Sequence, residues 1–214
     1  MERARIGILG SGVVGQCLAG GLAGHGHEVM IASREPAKLA EYAAGAGVAT
    51  GTFEQAAEHG ELLVLCAKGD AVEAVIALAG PERLAGKVVI DTTNPLDFSS
   101  GRPGLFVGFD DSLGERVQRA APEARVVKAF NIVSAPTMID PSFEDGPADM
   151  FIAGDDDGAK AVVTDLLHDV GWPNVWDTGG IEGARLLEPL CILWVVVAQR
   201  RGAWDHAFKV ATQG

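Results

Sequence analysis

Three glycines near the amino terminus constrain the fold of this chain more than any other feature. Gly10, Gly12 and Gly15 give the spacing Gly-x-Gly-x-x-Gly. An apolar run at residues 6–9 predicts a buried strand before them, and helically spaced apolar residues follow them. In this setting the first glycine permits a tight turn, the second lets the backbone approach a pyrophosphate, and the third lets the helix pack closely. With a second strand at residues 28–32, the pattern predicts a dinucleotide-binding unit, and the alternative is a purely structural glycine turn.

The end of the second strand indicates which dinucleotide binds. An NAD site usually carries an acid about 20 residues after the glycines, to hold the ribose 2′-hydroxyl. This chain has Ser33 and Arg34 there, with Lys38 close behind. A hydroxyl and a guanidinium suit a dianionic 2′-phosphate, so the sequence favours NADP(H) over NAD(H). Two observations leave alternatives open, because the carboxylate of Glu35 could swing back and Arg34 could be an ordinary surface charge.

Alternating strand and helix patterns over the rest of the chain predict an α/β protein. We expect a Rossmann doubly wound, mostly parallel sheet with a small C-terminal helical cap. The predicted division is an NADP-binding domain at residues 1–178 and a cap or dimerisation segment at residues 179–214. Residues 182–201 form one long predicted helix that is apolar nearly all round, as is typical of a helix covered by other protein. Our hypothesis is that it covers the reactive face of the cofactor and packs in a homodimer.

Polar residues follow the fourth and fifth predicted strands. Because ligands of open parallel sheets collect at the carboxyl ends of the strands, we expect these residues to line the nicotinamide half of the cofactor. Asn94 and Pro95 could instead form only a turn, and Asp70 is expected to cap the helix that follows. The cofactor-binding candidates are Gly10, Ser11, Gly12, Val13, Val14, Gly15, Ser33, Arg34, Lys38, Ala67, Lys68, Thr93, Asn94 and Pro95.

Charge and composition exclude several classes of function. The formal net charge is −12 and the isoelectric point is about 4.7, which argues against nucleic acid or an anionic membrane as a partner. The longest apolar run, residues 190–198, is too short to span a bilayer, and the start of the chain does not look like a signal peptide. We therefore expect a cytoplasmic protein whose partner is a small molecule and not nucleic acid or a membrane.

The cysteines and histidines show no spacing typical of a disulfide framework or a metal site. Cys17, Cys66 and Cys191 each lie in an apolar run and are interpreted as buried free thiols. His168 and His206 are expected at the surface. No metal is expected.

Several segments together resemble a known family. They are residues 10–15, 32–34, 126–131, 154–157 and 183–190, and the resemblance runs nearly end to end. The chain resembles the coenzyme F420-dependent NADP oxidoreductases (NADPH-dependent F420 reductases), whose dinucleotide domain is shared with the cytosolic part of STEAP-type metalloreductases. Ser11 and Val13 depart from the deazaflavin enzymes, and the Lys-Ala-Phe-Asn form at residues 128–131 is closer to the metalloreductase domain.

The resemblance implies hydride transfer between C4 of NADP(H) and C5 of a flavin or deazaflavin ring. It also implies that Ser33 and Arg34 hold the 2′-phosphate. The acceptor could be coenzyme F420, FMN or FAD. The residues that the resemblance places against the acceptor ring are Asn131, Ile132, Val133, Ser134, Pro136, Arg185 and Leu186.

Hydride transfer needs little from side chains, since the cofactors carry the chemistry and the protein supplies distance, stacking and water exclusion. Lys128 and Asn131 are the candidate catalytic residues, although Lys128 could equally be a buried structural cation paired with an acid. Two other functions stay open. One is a non-catalytic NADP(H)-sensing protein. The other is a dehydrogenase of small hydroxy acids or imines, which usually needs a long helical second domain for which this chain has little room after Gly180.

Overall fold

The computed structural model describes residues 2–213, which form ten strands and eight α-helices. The strands are β1 (Arg5–Leu9), β2 (Glu28–Ala32), β3 (Ala49–Gly51), β4 (Leu62–Leu65), β5 (Val88–Asp91), β6 (Leu96–Asp97), β7 (Gly104–Leu105), β8 (Arg125–Lys128), β9 (Asp149–Ile152) and β10 (Asn174–Asp177). The helices are α1 (Val13–Gly24), α2 (Ala40–Ala46), α3 (Phe53–His59), α4 (Val72–Ala79), α5 (Pro81–Leu84), α6 (Leu113–Ala120), α7 (Asp157–Asp169) and α8 (Ala184–Arg201).

Six strands form one sheet in the order β3-β2-β1-β4-β5-β8, and every neighbouring pair is parallel. The chain winds outward from β1 in one direction and then from β4 in the other. The predicted Rossmann fold is thereby confirmed, with its switch point between β1 and β4. Every residue of β4 and β5 is buried, as expected where helices cover both faces of a parallel sheet.

A second, two-stranded sheet continues from the edge of the first. In it β9 and β10 pair in parallel. A single antiparallel bridge joins it to the main sheet, since the backbone N–H of Lys128 donates to the carbonyl of Ala153 at 2.8 Å. This bridge keeps the carboxyl end of β8 close to the start of α7.

Local sequence signals account for several helix starts. The hydroxyl of Thr52 accepts from the backbone of Gln55, whose side chain accepts from the backbone of Thr52 in return, so α3 begins with a capping box. Ser112 caps α6 and Asp156 caps α7 through their side-chain oxygens. The expected cap by Asp70 was wrong, because a 3₁₀ turn at Gly69–Ala71 precedes α4 and no side chain caps that helix.

The region from residue 98 to 108, expected to be a loop, contains one strand of a short hairpin. Here β6 and β7 pair antiparallel over two residues each. Strands this short carry no readable alternation of apolar and polar residues. The hairpin brings Leu96 and Phe98 to the edge of the main sheet where β4 and β5 end.

Helix α8 is buried on one face and exposed on the other. Its buried side includes Cys191, Trp194 and Val195, which pack with Ile132 in a small apolar cluster of their own. The opposite face leaves three large apolar side chains exposed, Leu186 (68%), Leu193 (52%) and Val196 (36%). No helix within residues 2–213 has the length and apolar character needed to cross a membrane.

Two expectations about polar side chains need correction. Cys17 is only partly buried, whereas Cys66 and Cys191 are buried free thiols. His168 is exposed as expected, but His206 is partly covered because it stacks on Trp194, with ring centroids 5.1 Å apart. Burial lowers the pKa of His206. The aromatic residues around it in the C-terminal segment were not readable as partners from sequence spacing.

Candidate functional site

The glycine turn between β1 and α1 has the geometry that the spacing predicts. Gly10 has φ = +147°, and a Cβ there would lie 2.5 Å from the carbonyl oxygen of Cys66. A Cβ on Gly15 would lie 2.1 Å from the carbonyl oxygen of Gly10. A Cβ on Gly12 would meet no atom within 4 Å, and Val13 beside it is 71% exposed. The turn therefore leaves open space in front of the first turn of α1, where backbone N–H groups favour an anion.

The end of β2 presents a hydroxyl and a guanidinium side by side. The Oγ of Ser33 accepts from the backbone N–H of Glu35 at 3.1 Å. The Glu35 carboxylate pairs with the ammonium of Lys38 at 2.8 Å, and both side chains are exposed. Arg34 is exposed and has no ion-pair partner in the described chain. The carboxylate of Glu35 is thus directed to Lys38, and the guanidinium of Arg34 is free to meet an anion.

A slot of about 470 Å³ lies at the carboxyl ends of β4 and β5. Five of the predicted cofactor residues line it: Val14, Ala67, Lys68, Thr93 and Asn94. Pro95 is buried beside it, and its Cα would lie 3.1 Å from a Cβ on Gly69. The slot therefore begins where the glycine turn ends and extends towards the hairpin.

Sequence reasoning did not assign six residues that line this slot to the cofactor: Cys66, Gly69, Asp70, Thr92, Leu96 and Phe98. Cys66 and Thr92 directly follow β4 and β5, so a stricter use of the strand-end rule could have found them. Burial raises the pKa of the Cys66 thiol to about 12. The thiol is therefore a neutral wall of the slot at physiological pH.

Beneath the slot, a lysine lies between two buried carboxylates. Lys128 is 0% exposed, and its Nζ lies 2.8 Å from Asp91 Oδ2 and 2.8 Å from Glu188 Oε1. Burial alone lowers the pKa of Lys128, but the two carboxylates outweigh it, so the pKa is raised and the ammonium is retained. In this conformation Lys128 has the structural, ion-paired arrangement that the sequence left open.

Glu188 also holds the start of α6. Its two oxygens accept from the backbone N–H groups of Leu113 and Gly114, each at 2.9 Å. A carboxylate at a helix N-terminus interacts favourably with the helix dipole. Glu188 therefore joins α8 to α6 and, through Lys128, to the ends of β5 and β8.

The two predicted asparagines form a mutual pair. Asn94 Nδ2 donates to the carbonyl of Asn131 at 2.7 Å, and Asn131 Nδ2 donates both to Asn94 Oδ1 at 2.9 Å and to the carbonyl of Leu187 at 3.0 Å. Asn131 is 3% exposed and follows Phe130, which has φ = +61°. A buried residue other than glycine in this conformation stores backbone strain, as residues at functional sites often do.

The residues expected around the acceptor ring differ in how far they are exposed. Ile132 and Val133 are buried in apolar clusters, whereas Ser134 is partly exposed and Pro136 is exposed. Arg185 lines a second groove of about 560 Å³, together with Phe106, Phe109, Pro189 and Ile192.

The guanidinium of Arg185 is bound to the carboxylate of Glu115 at 2.8 Å from its Nε, and Leu186 beside it is exposed. No group of three or more His, Cys, Asp or Glu side chains that could hold a metal ion occurs between residues 2 and 213.

Comparison with known proteins shows the family of this chain. Residues 5–95 match the family described as NADP oxidoreductase, coenzyme F420-dependent. The F420-dependent NADP reductase of Methanothermobacter marburgensis is 32% identical over 209 residues, covering 89% of this chain and 91% of that protein. The chain belongs to the coenzyme F420-dependent NADP oxidoreductase family. It is an NADP-dependent oxidoreductase.

Other relatives of this family member extend the comparison. Rat metalloreductase STEAP3 is 30% identical over 190 residues, and the match covers 88% of this chain but only 36% of STEAP3. The crystal structure of a candidate F420-dependent NADP reductase from Arthrobacter sp. FB24 is 39% identical, with a TM-score of 0.94 over 98% of this chain and 100% of that one. An imine reductase from Aspergillus terreus, 22% identical with a TM-score of 0.68, covers 94% of this chain and 64% of that one and shares the fold.

Two alanine substitutions should separate packing from cofactor binding at the glycine turn. Gly15→Ala forces a Cβ against the Gly10 carbonyl and should destabilise the fold by roughly 1–3 kcal/mol. Gly12→Ala places its Cβ in open space, so we expect stability within about 1 kcal/mol of the parent and NADPH affinity at least about tenfold weaker. Thermal unfolding and NADPH titration of both variants measure this. Unchanged NADPH affinity in Gly12→Ala would place the pyrophosphate elsewhere.

Proposed function

We propose that this protein transfers a hydride between NADP(H) and a flavin or deazaflavin, with coenzyme F420 as the first acceptor to test. The observation that carries the proposal is the unpaired guanidinium of Arg34 beside the hydroxyl of Ser33, next to a glycine turn with open space in front of it. The names of the methanogen relatives support the choice of acceptor.

The proposed cofactor position follows the carboxyl edge of the sheet. The pyrophosphate would lie over Gly12 at the N-terminus of α1. The 2′-phosphate would meet Ser33 and Arg34, and Lys38 could join them by leaving Glu35, because an exposed ion pair is weak. The nicotinamide would enter the slot beside Thr93.

The residues around the slot suit hydride transfer. Bound NADPH would supply a hydride from C4 to position 5 of the acceptor ring, which is carbon in a deazaflavin and nitrogen in a flavin, and the acceptor would also take up one proton from water. Val14, Leu96 and Phe98 supply apolar walls that exclude water and support a flat ring, and the neutral thiol of Cys66 adds no competing charge. Thr93 and Asn94 offer polar groups for orientation of the nicotinamide amide. Proximity and exclusion of water are the contributions that this chemistry asks of the chain.

The C-terminal part of the chain completes the proposal. We keep residues 1–178 as the NADP-binding domain and residues 179–214 as the cap. The exposed face of α8 formed by Leu186, Leu193 and Val196 would be covered in a homodimer, since contiguous apolar surface marks protein contacts. The groove lined by Phe106 and Phe109 borders the same helix.

Charge reversal at Arg34 should change the choice of dinucleotide. A charge-assisted contact of about 1.5–3 kcal/mol corresponds to a rise of roughly 10- to 100-fold in the NADPH Kd of Arg34→Glu, with the NADH Kd within about threefold of the parent. Arg3→Glu is the matched control, because Arg3 is an exposed arginine before β1, at the opposite edge of the sheet. Equal NADPH and NADH affinities in the parent protein would contradict the 2′-phosphate site.

The acceptor is tested by mixing the protein and NADPH with oxidised coenzyme F420, FMN or FAD in turn. We expect loss of NADPH absorbance that depends on coenzyme F420 and is slower with the flavins. Tight NADPH binding without turnover of any acceptor would instead favour the sensing protein. Turnover restricted to imines or hydroxy acids would favour the dehydrogenase alternative.

Light scattering after size exclusion tests the homodimer. Leu193→Glu places a charge in the proposed interface and should convert the dimer to a monomer. Leu78→Glu is the control, since Leu78 on α4 is exposed to nearly the same extent, 53% against 52%. Elution of the parent protein as a monomer at micromolar concentration would contradict the proposed interface.

A further inference from the structure

We infer that Glu188 is a positioning residue for the nicotinamide end of the slot, acting through Lys128 and Asp91 on Thr93. The inference gives a role to a carboxylate that faces the interior from α8 and touches no open cavity. The catalytic part of this inference rests on the proposed NADP(H) function. The contacts of Glu188 are independent of that function.

Each oxygen of Asp91 has a separate partner. Oδ2 accepts from the ammonium of Lys128, and Oδ1 accepts from both the backbone N–H of Thr93, at 2.9 Å, and its hydroxyl, at 2.6 Å. Thr93 lines the slot and is itself 3% exposed. The orientation of the Thr93 side chain is therefore set by Asp91, and that of Asp91 by Lys128.

Glu188 completes the chain of contacts at its other end. It is 1% exposed, and three donors converge on its carboxylate: the Lys128 ammonium and the N–H groups of Leu113 and Gly114. If Glu188 lost its charge, Lys128 would be drawn to Asp91 alone, and the geometry of Asp91 towards Thr93 would change. Two ion pairs and the hydrogen bonds of Asp91 to Thr93 thus connect α8 to the slot wall.

The neighbouring residue of α8 provides a second, parallel route. The carbonyl of Leu187 accepts from Asn131, whose side chain also donates to Asn94 in the slot wall. Leu187 of α8 is therefore connected to Asn94 through Asn131. Glu188 is connected to Thr93 through Lys128 and Asp91.

Stability alone does not explain a buried charge network. Replacing such networks by apolar residues of similar volume is often neutral or stabilising, whereas they can specify a single geometry. Three fully buried charges beside the slot are better explained by the geometry that they impose on Thr93 than by added stability.

The test compares Glu188→Gln with Asp149→Asn. Asp149 is a 2% exposed carboxylate that also receives three donors, from Asn174, Trp176 and the backbone of Val210, but has no contact with the slot. Both amides place an N–H group against existing donors, so we expect both variants to lower the melting temperature. We expect only Glu188→Gln to weaken NADPH binding, by about tenfold, and to accelerate hydrogen exchange at the Thr93 amide by a similar factor. Asp149→Asn should leave both within about twofold of the parent.

Equal NADPH affinity and equal Thr93 exchange in the two variants would overturn the positioning role. Failure of the parent protein to bind NADPH would overturn the proposed function instead, while Thr93 exchange would still test the coupling. If Glu188→Gln does not fold, amide hydrogen exchange in the parent protein tests the positioning role instead. The amides of Thr93, Leu113 and Gly114 should then exchange through openings of equal free energy. A much lower opening free energy for Leu113 and Gly114 than for Thr93 would contradict the shared network.

Discussion

The rest of the structure depends on one ion-paired lysine in the interior. Lys128, at the end of β8, is held between Asp91 at the end of β5 and Glu188 in α8, with all three side chains at most 1% exposed. Removal of the Lys128 charge would leave two buried carboxylates without their ion-pair partner, which is far more costly than loss of a surface ion pair. The C-terminal helix is therefore attached to the sheet at the carboxyl ends of β5 and β8.

The sheet order explains why the proposed binding groups meet. Because β1 and β4 are neighbours at the switch point, the glycine turn after β1 and the residues after β4 and β5 reach the same edge. Ser33 and Arg34 reach that edge from β2, one strand further out. A cofactor lying along this edge would meet a phosphate site at one end and an apolar slot at the other, which is the arrangement that hydride transfer needs.

Much of this could be predicted from the sequence. The glycine spacing and the apolar strands were readable because each follows from local rules of turn geometry and burial, and the slot residues Thr93 and Asn94 followed from strand ends. The roles of Glu188 and Asp149 could not be predicted from the sequence, because their partners are distant along the chain. Glu188 binds Leu113, 75 residues away, and Asp149 binds Val210, 61 residues away. An acid within an otherwise apolar stretch of α8 was the available signal for Glu188.

Other features of the structure were not predictable from the sequence, for different reasons. Ile132 and Val133 came from the resemblance, and the fold buries their side chains, so only their backbone could face a ligand. The β6–β7 hairpin was too short to show a period, and the exposed face of α8 could not be separated from its buried face in a helix that is apolar nearly all round.

Native-state hydrogen exchange tests the central claim most directly. If the buried charges join the C-terminal helix to the sheet, amides in the middle of α8 and in β5 should exchange through openings whose free energies agree within about 1 kcal/mol. Exchange of α8 at a free energy several kcal/mol below that of β5 would show that the helix opens independently of the sheet, and would contradict the account.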